Sequence, residues 1–368
     1  MVSSLSLALV SALAAFVPAA VAVPYYNSAI VPRNASGSAC NNSPSLCGKN
    51  YNAITYLGAH DSAFLRDAST GNSIAGNQFK NATVALDAGI RLLQAQVHDS
   101  NNTLELCHTS CGILDGGSLA DWLVAVDYWM GKNPNEVVTL LLVNSDEKPV
   151  ADFGLAFEKS GISKYGFQQT STTATGNWPT LQSMINNGKR LVTFVTNIDG
   201  QDASQYPYLL DEFSYVFETA FEVTDLTGFN CTLDRPSTED SASAALASNF
   251  LGLINHFKYQ TIANDIFIPD ADAIKTVNSP DTATTGSLGR HLDQCTTEWG
   301  TKPNFILVDF WNEADPIEAA DAANGLSDVT GRSGGGDDSD DDSMAAVNAR
   351  NLGHCALVAA FAGAALLF

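Results

Sequence analysis

The sequence is poor in positive charge. Its 368 residues include 18 Lys and Arg against 40 Asp and Glu, which gives a formal net charge of −22 at pH 7. Nucleic acid and anionic lipid would be repelled over the Debye length, so this balance excludes nucleic-acid binding and simple adsorption to an anionic membrane. Part of the charge is local, because Asp337 to Asp342 contribute five acids in six residues. Such a run indicates a solvated stalk, and the body that precedes it is still acidic.

The chain also lacks a glycine-rich dinucleotide fingerprint and an internal repeat, and its apolar ends are too short to predict a membrane span. The N-terminal apolar stretch closes on a small-x-small pattern at Ala22, which predicts a secretory signal peptide over residues 1–22. At the other end, the apolar run from Cys355 to Phe368 follows a polar spacer. This order resembles a GPI-attachment signal, with attachment at Ser343 and removal of residues 344–368. A short C-terminal membrane helix is the alternative.

Between these ends we predict one domain, a body over residues 23–325, followed by a Gly/Asp-rich stalk over residues 326–343. Seven cysteines become six when Cys355 leaves with the tail, and an even count suits an oxidised, extracellular protein. The short spacings favour Cys40 with Cys47 and Cys107 with Cys111, which leaves Cys231 for Cys295. Five Asn-x-Ser/Thr sequons also fit an extracellular route, at Asn34, Asn41, Asn81, Asn101 and Asn230.

The body alternates short apolar runs with helical patterns, which predicts a parallel sheet. Most runs are continuous rather than alternating, as in strands covered on both faces. Ser118 and Gly131 are expected to begin and end one of the intervening helices, while residues 233–247 and 270–300 are expected to be long loops. We therefore predict an α/β fold with a single, irregular TIM-type (β/α) barrel. The seven predicted strands are Ile54–Gly58, Ile90–Val97, Val137–Asn144, Arg190–Asn197, Tyr215–Thr219, Leu251–Phe257 and Phe305–Trp311.

Candidate catalytic residues lie where predicted strands end, the face on which barrel enzymes build their active sites. His60 and Asp61 close the first strand, and Asp309 lies near the end of the last. His108 follows the second strand between two cysteines. A carboxylate beside an imidazole fixes its tautomer and raises its basicity. Two histidines on opposite sides of a pocket suit phosphodiester chemistry, because one can remove a proton while the other donates one.

The stretches LGAHDSAF, GIRLLQAQVH with LCHTSCG, NPNEVVTLLLVN and ILVDFWN together resemble the phosphatidylinositol-specific phospholipase C-like phosphodiesterases, in their secreted fungal branch. The resemblance covers roughly Tyr51 to Asn312. It implies that His60, oriented by Asp309, is the general base for the inositol 2-hydroxyl. It also implies that His108, paired with Asp61, is the general acid for the diacylglycerol oxygen, with a cyclic inositol phosphate as product.

The second strand departs from the family pattern. Gln94 and Gln96 stand where family members place Arg or acidic calcium ligands, and Val143 aligns with a further acidic position. Alternation puts Gln94, Gln96 and His98 on one strand face, so we expect all three to bind substrate at the barrel mouth. Trp311 is a fourth candidate, whereas Arg91 falls on the opposite face and is expected in an ion pair. The calcium site looks incomplete, so no cofactor or metal is assigned.

The leading hypothesis is an extracellular, GPI-anchored, monomeric phosphodiesterase that cleaves a phosphoinositide-like phosphodiester. Its partners would be that phospholipid or another phosphodiester substrate, and the membrane through the lipid anchor. The alternative is a catalytically weakened barrel that binds a glycan or lipid head group at the cell surface, which the two uncharged glutamines favour. A phospholipase of the sphingomyelinase D kind shares the barrel but also expects acidic metal ligands at Gln94 and Gln96.

Overall fold

The computed structural model describes residues 39–262 and 266–333. The predicted signal peptide, the sequon at Asn34, the attachment residue Ser343 and the tail from Cys355 lie outside these residues. The described part of the expected stalk, residues 326–333, lies against the body instead. Asp328 accepts hydrogen bonds from the hydroxyls of Ser43 and Ser45 at 2.6 and 2.8 Å. The folded body therefore extends past residue 325.

The described residues form thirteen strands, of which the longest is the second. The strands are β1 (Tyr56–Ala59), β2 (Leu92–Ser100), β3 (Thr103–His108), β4 (Leu114–Ser118), β5 (Val138–Asn144), β6 (Leu191–Val195), β7 (Leu209–Asp211), β8 (Val216–Thr219), β9 (Leu233–Arg235), β10 (Leu251–Asn255), β11 (Tyr259–Ile262), β12 (Ile266–Pro269) and β13 (Phe305–Val308). The helices are α1 (Ala82–Ala88), α2 (Leu119–Lys132), α3 (Val150–Ser160), α4 (Leu181–Asn186), α5 (Ala242–Ala247), α6 (Ile274–Val277), α7 (Leu288–Trp299) and α8 (Ile317–Asn324).

Eight parallel strands form the body of the fold, in the order β7-β6-β5-β2-β1-β13-β10-β8. The sheet curls, because the rings of Phe194 on β6 and Phe305 on β13 lie 6.0 Å apart although three strands separate them in the sheet. Among the described residues, no ladder joins β7 to β8, so the barrel has an open seam there. The expected irregular TIM-type α/β fold is confirmed, and β7 is an eighth parallel strand that the sequence pattern did not reveal.

Strand alternation divides the core into two layers. Tyr56, Leu92, Leu141 and Phe194 belong to an inner cluster, whereas neighbours such as Leu57 pack towards the helices. The inner layer is tight, as in other protein interiors. A Cβ on the inner residue Gly58 would lie 2.7 Å from the Leu92 side chain and 2.9 Å from that of Leu307.

Two local predictions were wrong. Gly131 does not end α2, which continues to Lys132 with Asn133 as its C-cap, although Ser118 caps the start as expected. The regions 233–247 and 270–300 are not structureless, since they contain β9 with α5, and α6 with α7. Their Ser- and Asp-rich composition concealed short helices whose stability comes from packing more than from intrinsic propensity.

Three disulfides join the pairs that the spacing favours: Cys40–Cys47, Cys107–Cys111 and Cys231–Cys295. The sequon at Asn41 does not fit the fold, because its side chain is 5% exposed and exchanges hydrogen bonds with the backbone of Val137 at 3.1 and 2.7 Å. A glycan would have to replace this buried pairing. Asn81, Asn101 and Asn230 are at least partly exposed. No helix in residues 39–262 and 266–333 is both long and apolar enough to cross a membrane.

Candidate active site

The chain turns sharply at the end of β1, and this turn places the first catalytic candidates. The backbone N–H of His60 continues the ladder to β13 by donating to the carbonyl of Val308 at 2.9 Å. Asp61 then adopts a left-handed backbone conformation with φ 47°, which Asp tolerates better than most residues. Gln78 supports the turn by donating from Nε2 to the His60 carbonyl at 2.6 Å. The turn therefore directs the side chains of His60 and Asp61 into the barrel mouth.

His60 is held at Nδ1 by polar side chains and on one ring face by an aromatic ring. Its Nδ1 lies 2.8 Å from Oδ1 of Asp309, and Asn77 donates to the same oxygen at 3.0 Å. Phe257 stacks on the imidazole with ring centres 3.6 Å apart and planes within 6°. When Nδ1–H donates to Asp309, Nε2 is left free to accept a proton, which is the tautomer that a general base requires.

The electrostatic surroundings of His60 favour its protonated form. Burial lowers the pKa of His60, but the nearby carboxylates of Asp61 and Asp309 outweigh it, so the pKa is raised above its usual value. The pKa of Asp61 is also raised, chiefly by burial and only partly offset by the two histidines. The site therefore binds a proton more readily than separate residues in water would.

Asp61 lies between the two histidines. Its Oδ2 is 3.6 Å from Nε2 of His60 and 3.6 Å from Nε2 of His108, and Gln96 donates to the same oxygen at 3.1 Å. The separations exceed a hydrogen bond, so the coupling is electrostatic. The other oxygen, Oδ1, is buried without a hydrogen-bond partner. One carboxylate thus faces both imidazoles, and the four residues expected to be catalytic share one site.

His108 reaches this site from an antiparallel hairpin. It is the last residue of β3, and the Cys107–Cys111 disulfide closes the loop that follows, with Cα atoms 4.6 Å apart. The edge of Phe64 packs against its ring at a centre distance of 5.3 Å. The hairpin returns His108 to the level of the strand ends, because β3 runs antiparallel to the long β2.

Gln94 and Gln96 lie in the site, and their side chains form hydrogen bonds with other groups of the protein. Gln94 accepts through Oε1 from the Asp61 backbone N–H at 2.6 Å. Gln96 donates to Asp61 and accepts from the N–H of Thr109 at 3.0 Å. The two amides therefore fix the backbone and carboxylate of Asp61 and join it to the His108 loop. Their expected role in substrate binding stays a prediction beside this positioning role.

Two further predicted binding residues do not face the site. His98 lies 3.1 Å from Asp146 at the protruding end of β2, where Asp146 also accepts from the Asp99 backbone. Trp311 is 5% exposed and belongs to the core layer under the helices, while its backbone N–H donates to Gln78. His98 lies beyond the part of β2 that pairs with β5, and Trp311 follows the turn at Phe310, where φ is 45°.

A polar wall that the sequence did not reveal lies on β8 and β10. Glu218 contributes to the field at His60 and accepts from Asn255 at 3.4 Å. Arg235 pairs with Glu218 and lies over the rings of Phe213 and Phe221. The carboxyl group of the buried Glu212 lies beside that of Glu218, and burial followed by the charge of Glu218 raises the pKa of Glu212 well above the usual value. Isolated Glu, Asn and Arg residues carry no sequence signal for such a cluster.

The residues present do not fit a calcium ion. A calcium site needs several carboxylate or carbonyl oxygens, and the amide oxygens of Gln94 and Gln96 are engaged with backbone N–H groups. No catalytic step is therefore routed through a metal. Within the described ranges, one group has metal-ligand spacing, Cys231 with His291 and Cys295. Its two sulfurs form a disulfide and are not thiolates.

A match to a family model identifies the family to which this chain belongs. The model described as PI-PLC X 1 matches residues 46–324. The chain belongs to the PI-PLC X family. This span includes all four catalytic candidates, Gln94 and Gln96. The PI-PLC X assignment confirms the resemblance that the sequence motifs indicated.

The chain is also similar to two fungal proteins and to a solved structure. A PI-PLC X domain-containing protein 1 of Arthroderma benhamiae is 38% identical over 289 residues, which cover 78% of this chain and 90% of that protein. An uncharacterized secreted protein of the same fungus is 34% identical over 282 residues, or 76% of this chain and 62% of that protein. The phosphatidylinositol-specific phospholipase C of Listeria monocytogenes aligns with a TM-score of 0.49 and 18% identity, over 76% of this chain and 96% of that chain.

Replacement of Asp309 by Asn tests the electrostatic control of His60. The amide keeps the shape but removes a negative charge 2.8 Å from Nδ1, so the pKa of His60 should fall. A neutral base would then persist to lower pH, and any acid limb of a rate profile should move in the same direction. NMR titration of the His60 ring proton, assigned with His60→Gln, measures the shift.

The matched control is Asp146→Asn, which removes a carboxylate beside His98 instead. It should leave the His60 titration unchanged. An unaltered His60 midpoint in folded Asp309→Asn would show that Asp309 does not control this imidazole.

Proposed function

We propose that this chain is a phosphodiesterase that cleaves a phosphoinositide-like phosphodiester by two-histidine acid-base catalysis. The observation that carries the proposal is the shared position of Asp61, 3.6 Å from Nε2 of both His60 and His108. Two proton-transfer groups so arranged can serve the attacking and the leaving oxygen of one phosphorus atom. Membership of the PI-PLC X family supports the same reaction class.

His60 acts as the general base in this proposal. Its Nε2 accepts the proton of the inositol 2-hydroxyl, while Asp309 stabilises the imidazolium that results. The hydroxyl oxygen forms a bond to phosphorus, and the bond from phosphorus to the diacylglycerol oxygen breaks. Because nucleophile and phosphorus belong to one molecule, no second reactant has to be positioned.

His108 acts as the general acid. It donates a proton to the departing diacylglycerol oxygen, and Asp61 stabilises the cationic form that precedes this transfer. The products are diacylglycerol and a cyclic inositol phosphodiester, so atoms and protons balance without water or metal. Asp61 couples the two histidines electrostatically. Gln94 fixes its backbone and Gln96 fixes its carboxylate, so the carboxylate stays beside both rings.

A second candidate function is a weakened barrel that binds a glycan or lipid head group without rapid turnover. It is favoured by the engagement of the arginines near the site with other protein groups. Arg235 pairs with Glu218, and Arg66 donates to the carbonyl oxygens of Ile74 and Pro269. Electrostatic stabilisation is usually the largest contribution to catalysis of this kind, so its reduction would slow the reaction.

We also infer that the protein works outside the cell, on the outer surface to which a C-terminal GPI anchor would attach it. Support comes from the three disulfides and from the relative that is named a secreted protein. Deletion of residues 355–368 should release the protein into the medium if the tail directs anchoring, as immunoblots of medium and cell fractions would show. Retention of the deleted form on cells would contradict the anchor.

Leaving-group dependence tests the assignment of base and acid. With an alkyl leaving group, His60→Ala and His108→Ala should each lower kcat by about 10²–10⁴-fold. With a nitrophenyl leaving group, which departs without a proton, His108→Ala should recover most of its rate and His60→Ala should not. Steady-state kinetics of inositol phosphodiesters with the two leaving groups provide the measurement.

His98→Ala is the matched control, because His98 lies outside the site and should keep wild-type rates. If both active-site variants, shown to be folded, turn over both substrates like wild type, the histidines are not the catalytic pair. If wild type turns over neither substrate, the binding function becomes the better description.

A further inference from the structure

Two histidines that the proposed reaction does not use face each other in the core. His256 follows β10, His291 lies on α7, and both side chains are buried. Their Nδ1 atoms lie 2.9 Å apart, which is hydrogen-bond distance. Nε2 of His256 lies 2.8 Å from the carbonyl oxygen of Val277, and Nε2 of His291 lies 3.0 Å from that of Asn230. The two residues are called the histidine pair below.

These three contacts determine how many hydrogens the pair carries. A carbonyl oxygen can only accept a hydrogen bond, so Nε2 of each ring has to carry a hydrogen. The contact between the two Nδ1 atoms needs one more hydrogen, because two lone pairs at 2.9 Å would repel each other. Two neutral imidazoles bring only two hydrogens, whereas the three contacts need three. The geometry is therefore that of a pair with one shared extra proton and a single positive charge.

The surroundings of the histidine pair limit it to one charge. Burial lowers the pKa of both rings, that of His291 to about 4, and the charge of His291 lowers the pKa of His256 further. Two protonated rings are therefore excluded. A single shared proton is better stabilised, because it forms a charge-assisted hydrogen bond. The ring of Phe229 lies 4.2 Å from that of His256, within reach of a cation–π contact. Glu298 adds a favourable negative field at His291.

The histidine pair is connected to the ring face of the general base. The backbone N–H of His256 continues the pairing of β10 with β13 by donating to the carbonyl of Leu307 at 2.8 Å. Phe257 comes next and belongs to the inner layer of the core, where its ring stacks on His60 with centres 3.6 Å apart. Neighbouring residues of an extended chain point to opposite sides. The pair therefore lies directly behind the segment that places Phe257.

A second connection leads to the carboxylate that holds the general base. Val277, which accepts from His256, is the last residue of α6. Its neighbour Asn278 donates through Nδ2 to the backbone carbonyl of Asp309 at 2.8 Å. The side chain of Asp309 in turn meets Nδ1 of His60. A displacement at the pair would thus reach His60 at its ring face and at Nδ1.

We propose that His256 and His291 are positioning residues, which share one proton and thereby hold Phe257 and Asp309 against His60. This inference rests on the proposed function, because His60 is the general base only in that reaction. The shared proton joins the segment after β10 to α7. Without it, one of the three contacts becomes a repulsion between lone pairs, and the segment that carries Phe257 would move away from α7.

NMR of the wild-type protein counts the hydrogens of the pair without any turnover. With isotope-labelled histidine nitrogens, at about pH 6, both Nε2 atoms should carry a hydrogen. One further hydrogen should couple to Nδ1 of both rings and exchange slowly with water, because it is buried between them. Spectra of His256→Asn and His291→Asn assign the signals. A wild-type pair with only two hydrogens would overturn the shared proton.

Two substitutions of His291 separate the contact between the rings from the contact to Asn230. His291→Asn keeps an N–H at the δ position, which can donate to His256 without an extra proton. His291→Gln keeps an N–H at the ε position for Asn230 and removes the donor to His256. We expect kcat to fall about tenfold in His291→Gln and to stay near the wild-type value in His291→Asn, because a small displacement of a catalytic group is costly. The fall should be equal for alkyl and nitrophenyl leaving groups, since His60 is needed with both.

The ring protons of His60 report the same displacement without turnover. Their NMR signals are shifted by the ring current of Phe257, which stacks on the imidazole. His291→Gln should move these signals, and His291→Asn should leave them close to their wild-type positions. Leu292→Ala is the matched control, because it shortens a different buried side chain of α7. It should lower Tm and leave both kcat and the His60 signals unchanged.

The outcomes separate this inference from the proposed function. Wild-type kcat and wild-type His60 signals in folded His291→Gln would overturn the positioning role even if three hydrogens are found. The hydrogen count uses the wild type alone, so it can overturn the proposal whether or not a variant folds. Three hydrogens and displaced His60 signals, in a protein that turns over neither substrate, would support the histidine pair and contradict only the proposed function.

Discussion

The position of one carboxylate, that of Asp61, is the constraint on which the rest of the site depends. It lies 3.6 Å from Nε2 of two imidazoles that come from distant parts of the chain. To be there, Asp61 has to leave β1 in a left-handed conformation, and the amides of Gln94 and Gln96 have to meet its N–H and its Oδ2. The hairpin of β2 and β3, closed by a disulfide, then delivers His108. Asp309 reaches the site because β13 pairs directly with β1.

The charge balance of this site is unusual for a centre that would receive a phosphodiester. Asp61 and Asp309 bring two negative charges, while the arginines of the described chain that lie near the strand ends are paired or bound to carbonyl groups. Arg235 pairs with Glu218, and Arg66 donates to the carbonyls of Ile74 and Pro269. An anionic substrate therefore needs a protonated imidazole to meet it. In the proposed reaction this imidazole is that of His108, the general acid, whereas His60 accepts a proton as the general base.

Much of this architecture could be predicted from local sequence. Continuous apolar runs located seven strands, and the short cysteine spacings gave the disulfide pairs. The positions of His60, Asp61 and Asp309 at strand ends predicted their assembly, because parallel strands of a barrel end on one face. His108 instead reaches the site on the antiparallel strand β3. These signals come from short segments of the sequence, so they can be recognised without knowledge of tertiary contacts.

The remaining features depend on contacts that the local sequence does not encode. Alternation placed Gln96 at the mouth correctly, yet only the turn at Asp61 shows that its amide is used internally. The surroundings of His98 and Trp311 could not be predicted, because His98 lies beyond the part of β2 that pairs with β5 and Trp311 follows the turn after β13. The three-residue strand β7 has too few residues to show a pattern, and the wall of Glu218, Asn255 and Arg235 joins residues from separate elements.

Phosphorus NMR of the purified protein incubated with phosphatidylinositol micelles would test the two-histidine centre most directly. A cyclic phosphodiester signal should appear with wild type, and it should be absent from a folded Asp61→Ala variant in which the histidines no longer share a carboxylate. The signal should also persist when a chelator is added, since no step uses a metal. An unchanged rate of cyclic product formation by Asp61→Ala would contradict the central role of that carboxylate.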